Sequence, residues 1–155
     1  MTTTLESYLA EHPMFRDLDP DYVKLLGECA TDVSFDAGET LFRYGESADR
    51  FYLIRDGRVS LEATSTSGEA LTIQTLEAGE VLGWSWLFPP YIWYFDARAM
   101  TRTRALAFDG LYLRAKCDED PKLGYELMKR FSAILNSRLQ AARLQILDIY
   151  GPTAT

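Results

Sequence analysis

Glycine sets the frame of this chain between residues 33 and 83. Gly38, Gly45, Gly57, Gly68 and Gly79 stand at turn positions, and the last three intervals are 11 to 12 residues. One strand plus one tight turn occupies about that length, so the spacing predicts an antiparallel barrel or jelly roll. The residues between the glycines agree. Phe51-Tyr52-Leu53-Ile54 is apolar on both faces, which predicts a sandwiched strand. Val59, Leu61 and Ala63 alternate with Arg58, Ser60 and Glu62, which predicts a strand with one wet face. Asp56-Gly57 joins the two and predicts a type I′ hairpin turn. Leu71, Ile73 and Thr75 read as a further alternating strand, and Ala97 to Phe108 as two more.

Helical signals flank this region. Leu5 to Glu11 reads as a short helix stopped by His12-Pro13. Asp19-Pro20 opens a second, with an aspartate cap, a first-turn proline and a stripe of Val23, Leu26 and Ala30. Asp109 caps a helix through Lys116. Asp120-Pro121 opens the longest helix, to Tyr150, where Gly151-Pro152 ends it. Its 29 or so residues span about 43 Å, longer than a roll of this size needs. Leu123, Leu127, Phe131, Leu135 and Leu139 step by four, which suits packing across the roll. From Leu139 the steps to Ala142, Ile146 and Ile149 are three, four and three, the seam of two helices lying side by side. That seam predicts a homodimer; the plainer alternative is that this end folds back on its own domain.

Net charge is −7, which disfavours nucleic acid and anionic membrane as partners. Arg98, Arg102 and Arg104 are the densest basic stretch, and their alternation reads as the wet face of a strand rather than a binding patch. Cys29 and Cys117 lack a CxxC or Cys/His pairing and read as reduced thiols, which with the missing leader pattern in Met1 to Glu11 predicts a cytoplasmic protein. No apolar run reaches the roughly 18 residues of a membrane span. The only histidine, His12, precedes a proline. A histidine-metal cupin is excluded because no roll strand carries a histidine. Ser-His and Cys-His catalysis has His12 as its one histidine candidate, and no phosphate-cradling glycine motif occurs. Nothing asks for an enzyme.

The run Asp36-Ala37-Gly38-Glu39-Thr40-Leu41-Phe42-Arg43-Tyr44-Gly45-Glu46-Ser47-Ala48-Asp49, followed by Phe51-Tyr52-Leu53-Ile54-Arg55-Asp56-Gly57-Arg58-Val59-Ser60-Leu61, closely resembles the β-roll of cyclic nucleotide-binding domains. The resemblance runs from about Leu5 to Tyr150 and is closest in character to the sensor half of catabolite activator-like transcription factors. It implies an α+β fold: an antiparallel β-roll (a jelly-roll-like double-stranded β-helix) with N-terminal helices and a long C-terminal helix. The expected organisation is one domain over 1–155, with N-terminal helices in 1–30, the roll in 31–108 and C-terminal helices in 109–150.

The resemblance also implies where a ligand sits. In the family a short helix and loop form a phosphate-binding cassette that begins with Gly-Glu and ends with an arginine, a small residue and alanine. The glutamate takes the ribose 2′-hydroxyl, and the arginine pairs with the cyclic phosphate. Here the cassette spans 82–97. Gly83 matches the family glycine, but Trp84 stands in the place of the glutamate, and Trp93, Tyr94 or Phe95 in the place of the arginine. The candidate site is therefore Gly83, Trp84, Ser85, Trp86, Trp93, Tyr94, Phe95 and Asp96, with Arg98 the nearest arginine beyond it. An arginine–phosphate contact is worth roughly 1.5–3 kcal/mol, so its loss costs about ten- to a hundred-fold in affinity. A cyclic nucleotide is thus the ligand the family implies and the one the cassette disfavours.

Three readings of the aromatic cluster stand open: a cassette collapsed into core, a pocket rebuilt for a flatter and less charged ligand, or an aromatic surface for a protein partner. At the level of the whole chain the leading expectation is a dimeric regulatory sensor. The alternatives are a ligand-independent assembly subunit and a DNA-binding regulator without its helix-turn-helix, none of which is legible after the long helix.

Overall fold

The computed structural model describes residues 2–150, with side chains from 5 to 149. The N-terminal helices are α1 (Thr2–Glu11) and α2 (Pro20–Glu28). Asp19 caps α2 by accepting the Asp21 amide at 2.9 Å, and the helix buries Val23 and Leu26. Ala30 is not part of that stripe. The Cys29 amide closes α2 on the Leu25 and Leu26 carbonyls, and Ala30 opens a strand opposite Phe108. A step of four from Leu26 reads as helix locally; pairing with a distant strand overrides it.

Eight strands follow: β1 (Ala30–Phe35), β2 (Thr40–Phe42), β3 (Arg50–Asp56), β4 (Arg58–Thr64), β5 (Ala70–Glu77), β6 (Val81–Leu82), β7 (Asp96–Ala99) and β8 (Thr103–Asp109). They form two antiparallel four-stranded sheets, in the orders β1-β8-β3-β6 and β2-β7-β4-β5. This is the β-roll that the family resemblance implies, built from the antiparallel strands and turns that the glycine spacing predicts. All five turn glycines take positive φ. At Gly57 the need is also steric, because an added Cβ would lie 2.5 Å from the Arg102 carbonyl oxygen. Asp56 stays in β3 opposite Arg104 after a register shift, so positive φ falls on Gly57 alone and the turn is not type I′.

β3 is buried on both faces, as its composition predicts. Phe51 and Leu53 join a core shared with Leu9, Phe15, Leu26, Trp86, Phe108, Leu113 and Phe131. Tyr52 and Ile54 turn the other way, into the roll interior with Phe42, Val59, Leu61, Leu82 and Trp93. The wet face expected for β4 holds only at Arg58: Ser60 and Glu62 are buried beside Val59 and Leu61. β5 lies at the edge of its sheet and leaves Leu71 and Ile73 exposed, with Leu76 buried instead. The register of β4 against β5 shifts between Leu61 and Glu62, which changes the phase of the pairing.

Asp109 caps α3 (Gly110–Glu119) by accepting the Tyr112 amide at 3.0 Å. α4 (Pro121–Tyr150) packs Leu123, Leu127 and Phe131 into the helix-side core. From residue 139 to 149 every position is exposed. The Gly151-Pro152 stop lies outside the described residues. Among the described residues, no helix is long and apolar enough to cross a membrane.

Candidate functional site

The cassette begins where β6 ends. Gly83 takes φ +97°, and a Cβ there would lie 2.6 Å from the Trp93 ring. Glycine thus lets an indole lie directly on the main chain. Trp93 in turn stacks on Phe42, centroids 3.8 Å apart and planes within 10°. Trp86 rides on a single 3-10 turn, Ser85–Leu87. It stacks on Phe51 at 5.2 Å and meets Phe131 edge-on at 5.3 Å. Ser85, Trp86 and Trp93 are all buried.

Phe95 is buried with the roll interior, and Tyr94, Asp96 and Arg98 lie nearer the surface in separate places. Tyr94 is exposed and meets Tyr44 edge-on at 6.4 Å. The Asp96 carboxylate accepts the Tyr44 amide at 2.7 Å, which pins the strand-to-cassette return. Arg98 donates from Nη2 to the Glu62 carboxylate at 2.7 Å. Hydrogen bonds from Arg98 and then Ser60 hold the Glu62 carboxyl below the usual carboxylate range. Arg102, in the connection between β7 and β8, and Arg104, on β8, lie near Asp36 and Asp32, at 2.9 and 3.9 Å; the three arginines are ion-paired, but they stand on two strands and the turn between them rather than on the one strand expected. The site residues inferred from the sequence therefore divide: two indoles and Ser85 in the core, one arginine on a carboxylate, and Trp84 and Phe95 at a cleft.

That cleft lies between the roll and α4 and encloses about 450 Å³. Its roll wall includes Leu61, Ile73, Trp84 and Phe95; its helix wall includes Leu135, Arg138, Leu139 and Ala142. Trp84 and Phe95 meet at 6.0 Å, tilted by 57°. The Arg138 guanidinium sits 5.1 Å from the Trp84 ring centre and donates from Nη2 to the Val81 carbonyl. Its Nη1 is buried with no partner. Burial pushes Arg138 down to about 10, so it is a cation at neutral pH.

Sequence reasoning missed Arg138. The signal was present: it lies three residues after Leu135 and four before Ala142, on the flank of an apolar stripe. Arg114 was missed as well. It donates to the Trp86 carbonyl at 2.6 Å and covers the Tyr91 ring at 4.0 Å, which holds the cassette against α3. Cys29 and Cys117 are both free thiols that burial pushes up to about 11, so both are protonated at neutral pH.

Known proteins share this architecture. A CRP-like cAMP-activated global transcriptional regulator of Mycobacterium tuberculosis is 24% identical over 94% of this chain, which spans 63% of the relative's length. The N-terminal domain of a transcriptional regulator from Streptomyces coelicolor A3(2) superposes with a TM-score of 0.68 at 26% identity, covering 86% of this chain and 93% of that one. A cyclic nucleotide-binding domain from Methylobacillus flagellatus has the same fold, with a TM-score of 0.79 at 19% identity over 99% of this chain and 86% of its own. The family model for the cyclic nucleotide-binding domain matches residues 32–120, more than half of the sequence, and the chain belongs to that family.

Proposed function

We propose that this chain is a regulatory sensor domain of the cyclic nucleotide-binding type whose cleft is built for something other than a cyclic nucleotide in the usual pose. The carrying observation is the pairing of Arg98 with Glu62. The arginine nearest the cassette is already committed, and no cassette residue supplies a cation in its place. Aromatic bulk at Trp86 and Trp93 fills space on the cassette's inner side. The cleft between Trp84 and α4 is what is left open.

The sensor acts as a homodimer through the second half of α4. Leu139, Ala142, Ile146 and Ile149 lie exposed along one stripe of a helix that extends past its own core. A stripe of this kind is stable in water when a second helix covers it. Leu139 and Ala142 also line the cleft, so ligand and partner helix share a wall. Sedimentation at micromolar concentration tests the assembly: a species of twice the chain mass is expected, and a monomer at high micromolar concentration overturns it.

The burial of Trp86 and Trp93 favours a second reading, a ligand-independent assembly subunit that keeps the roll as a rigid scaffold. A dimer whose tryptophan fluorescence answers no small molecule would select it. Exposed Tyr44 and Tyr94 are then the aromatic surface for a protein partner. The family implies a cyclic nucleotide as bound ligand; the reduced thiols favour the cytoplasm as location, and the acidic surface disfavours nucleic acid and anionic membrane as partners.

A further inference from the structure

We infer that Arg138 is the anion anchor of the cleft, and that the cleft takes an aromatic carboxylate. The inference deepens the sensor reading and rests on it. In the family resemblance the cation comes from the cassette; here it comes from the middle of α4. Arg138 is the only charged residue lining the cleft, and no carboxylate lies within ion-pair distance of it among the described residues. Its buried Nη1 has no acceptor. A guanidinium largely out of water, with one nitrogen unsatisfied and only the Val81 carbonyl, the Trp84 ring and the more distant Glu80 charge to hold it, is costly to keep, and a bound carboxylate lowers that cost by supplying both charge and acceptor. In this reading the fork turns off the Val81 carbonyl to meet an oxygen arriving from the cleft.

The walls define the rest of the molecule. Trp84 and Phe95 present two tilted rings, and Leu61, Ile73, Leu135 and Leu139 surround them. A flat ring system lies against such surfaces with offset or edge contacts. Only Gln74 and Gln145 offer neutral polar side chains. A cyclic nucleotide would bring ribose hydroxyls and base nitrogens into a cleft without enough partners for them. A second cleft borders Arg138 on its other side, but there Glu80 contributes a carboxylate and Arg130 is bound to Glu126 at 3.1 Å, so an anion is not favoured.

The test uses the full chain and 4-phenylbenzoate, with neutral 4-phenylbenzamide and decanoate as comparisons, read by tryptophan fluorescence and by calorimetry. The benzoate is expected to bind at least ten-fold tighter than the amide and than decanoate. Arg138→Gln should abolish that preference, and Arg138→Lys should retain part of it, with sedimentation and circular dichroism confirming that both variants fold. Equal binding of benzoate and amide, or an unchanged preference in Arg138→Gln, overturns the anchor. Equal binding of decanoate overturns the aromatic class, and no benzoate binding overturns the whole inference. Tight cyclic AMP binding would instead sink the reading of a cleft built for something other than a cyclic nucleotide, so the two failures are distinguishable.

Discussion

Glu62 on β4 and Arg98 on β7 are diagonal neighbours, Arg98 standing opposite Ser60 in the register, and Arg98 Nη2 lies 2.7 Å from the carboxylate of the buried Glu62. Ser60 donates to the same carboxylate at 3.1 Å. The pair is therefore a structural clamp on the cassette's exit strand, and breaking it should be felt as stability.

Glu62→Gln is expected to lower unfolding free energy by about 1 kcal/mol, because Arg98 is half-exposed and solvent screens part of the attraction. The Glu62 carboxyl is depressed in the fold, so its contribution is present above the ordinary carboxylate pKa of about 4.3 and is lost as pH falls through the lower folded value. Urea titrations at neutral and acid pH check this. An equal effect of the substitution at both would show that the charge is not the cause.

Gly83→Ala should destabilise by about 1–3 kcal/mol, since it combines positive φ with a Cβ 2.6 Å from Trp93. Trp93 must shift, so its fluorescence spectrum changes in the folded state. A variant with wild-type melting temperature and spectrum would contradict the packing.

Phe131→Ala removes a buried ring that touches both Phe51 and Trp86 and should cost about 3–5 kcal/mol. Thermal unfolding followed by tryptophan emission measures it directly. A loss below about 1 kcal/mol would mean that α4 does not close the helix-side core.

Cyclic AMP and cyclic GMP should bind with dissociation constants above roughly 100 μM, the consequence of two missing charged contacts. Calorimetry decides it. Low-micromolar binding of either would require a new partner for the phosphate: Arg98 leaving Glu62, Ser85 leaving the core, or Arg138 reaching it from α4.

Leu139→Glu combined with Ile146→Glu should convert the proposed homodimer to monomer with little change in the fold of each chain, because both side chains are exposed. Sedimentation gives the mass and circular dichroism the helix content. A dimer that survives both charges is held elsewhere.

Much of this architecture was legible because its signals are local. The turn glycines, Asp109 and Asp120-Pro121 act on their own neighbours, and each set a turn or a helix boundary. Ser60 and Glu62 misled for the opposite reason. Alternation reports one strand's own pattern, whereas what covers that face comes from Arg98 and Thr72. Ala30 misled because Phe108, far along the chain, recruits it into a sheet. In the cassette, composition shows aromatic mass but not direction: nothing local sends Trp86 and Trp93 inward while Trp84 stays at the cleft. Arg138 acquires its meaning only when α4 is laid against Trp84.

The exposed stretch of α4 continues the same unbroken helix that buries Phe131. Residues 139 to 149 amount to an arm of roughly 16 Å beyond that anchorage. Such a rod is a lever with its fulcrum in the core. A small tilt at Leu135 and Arg138, which wall the cleft, would become a larger sideways travel at Ile149, and a displacement imposed at Ile149 would be felt, reduced, at the cleft.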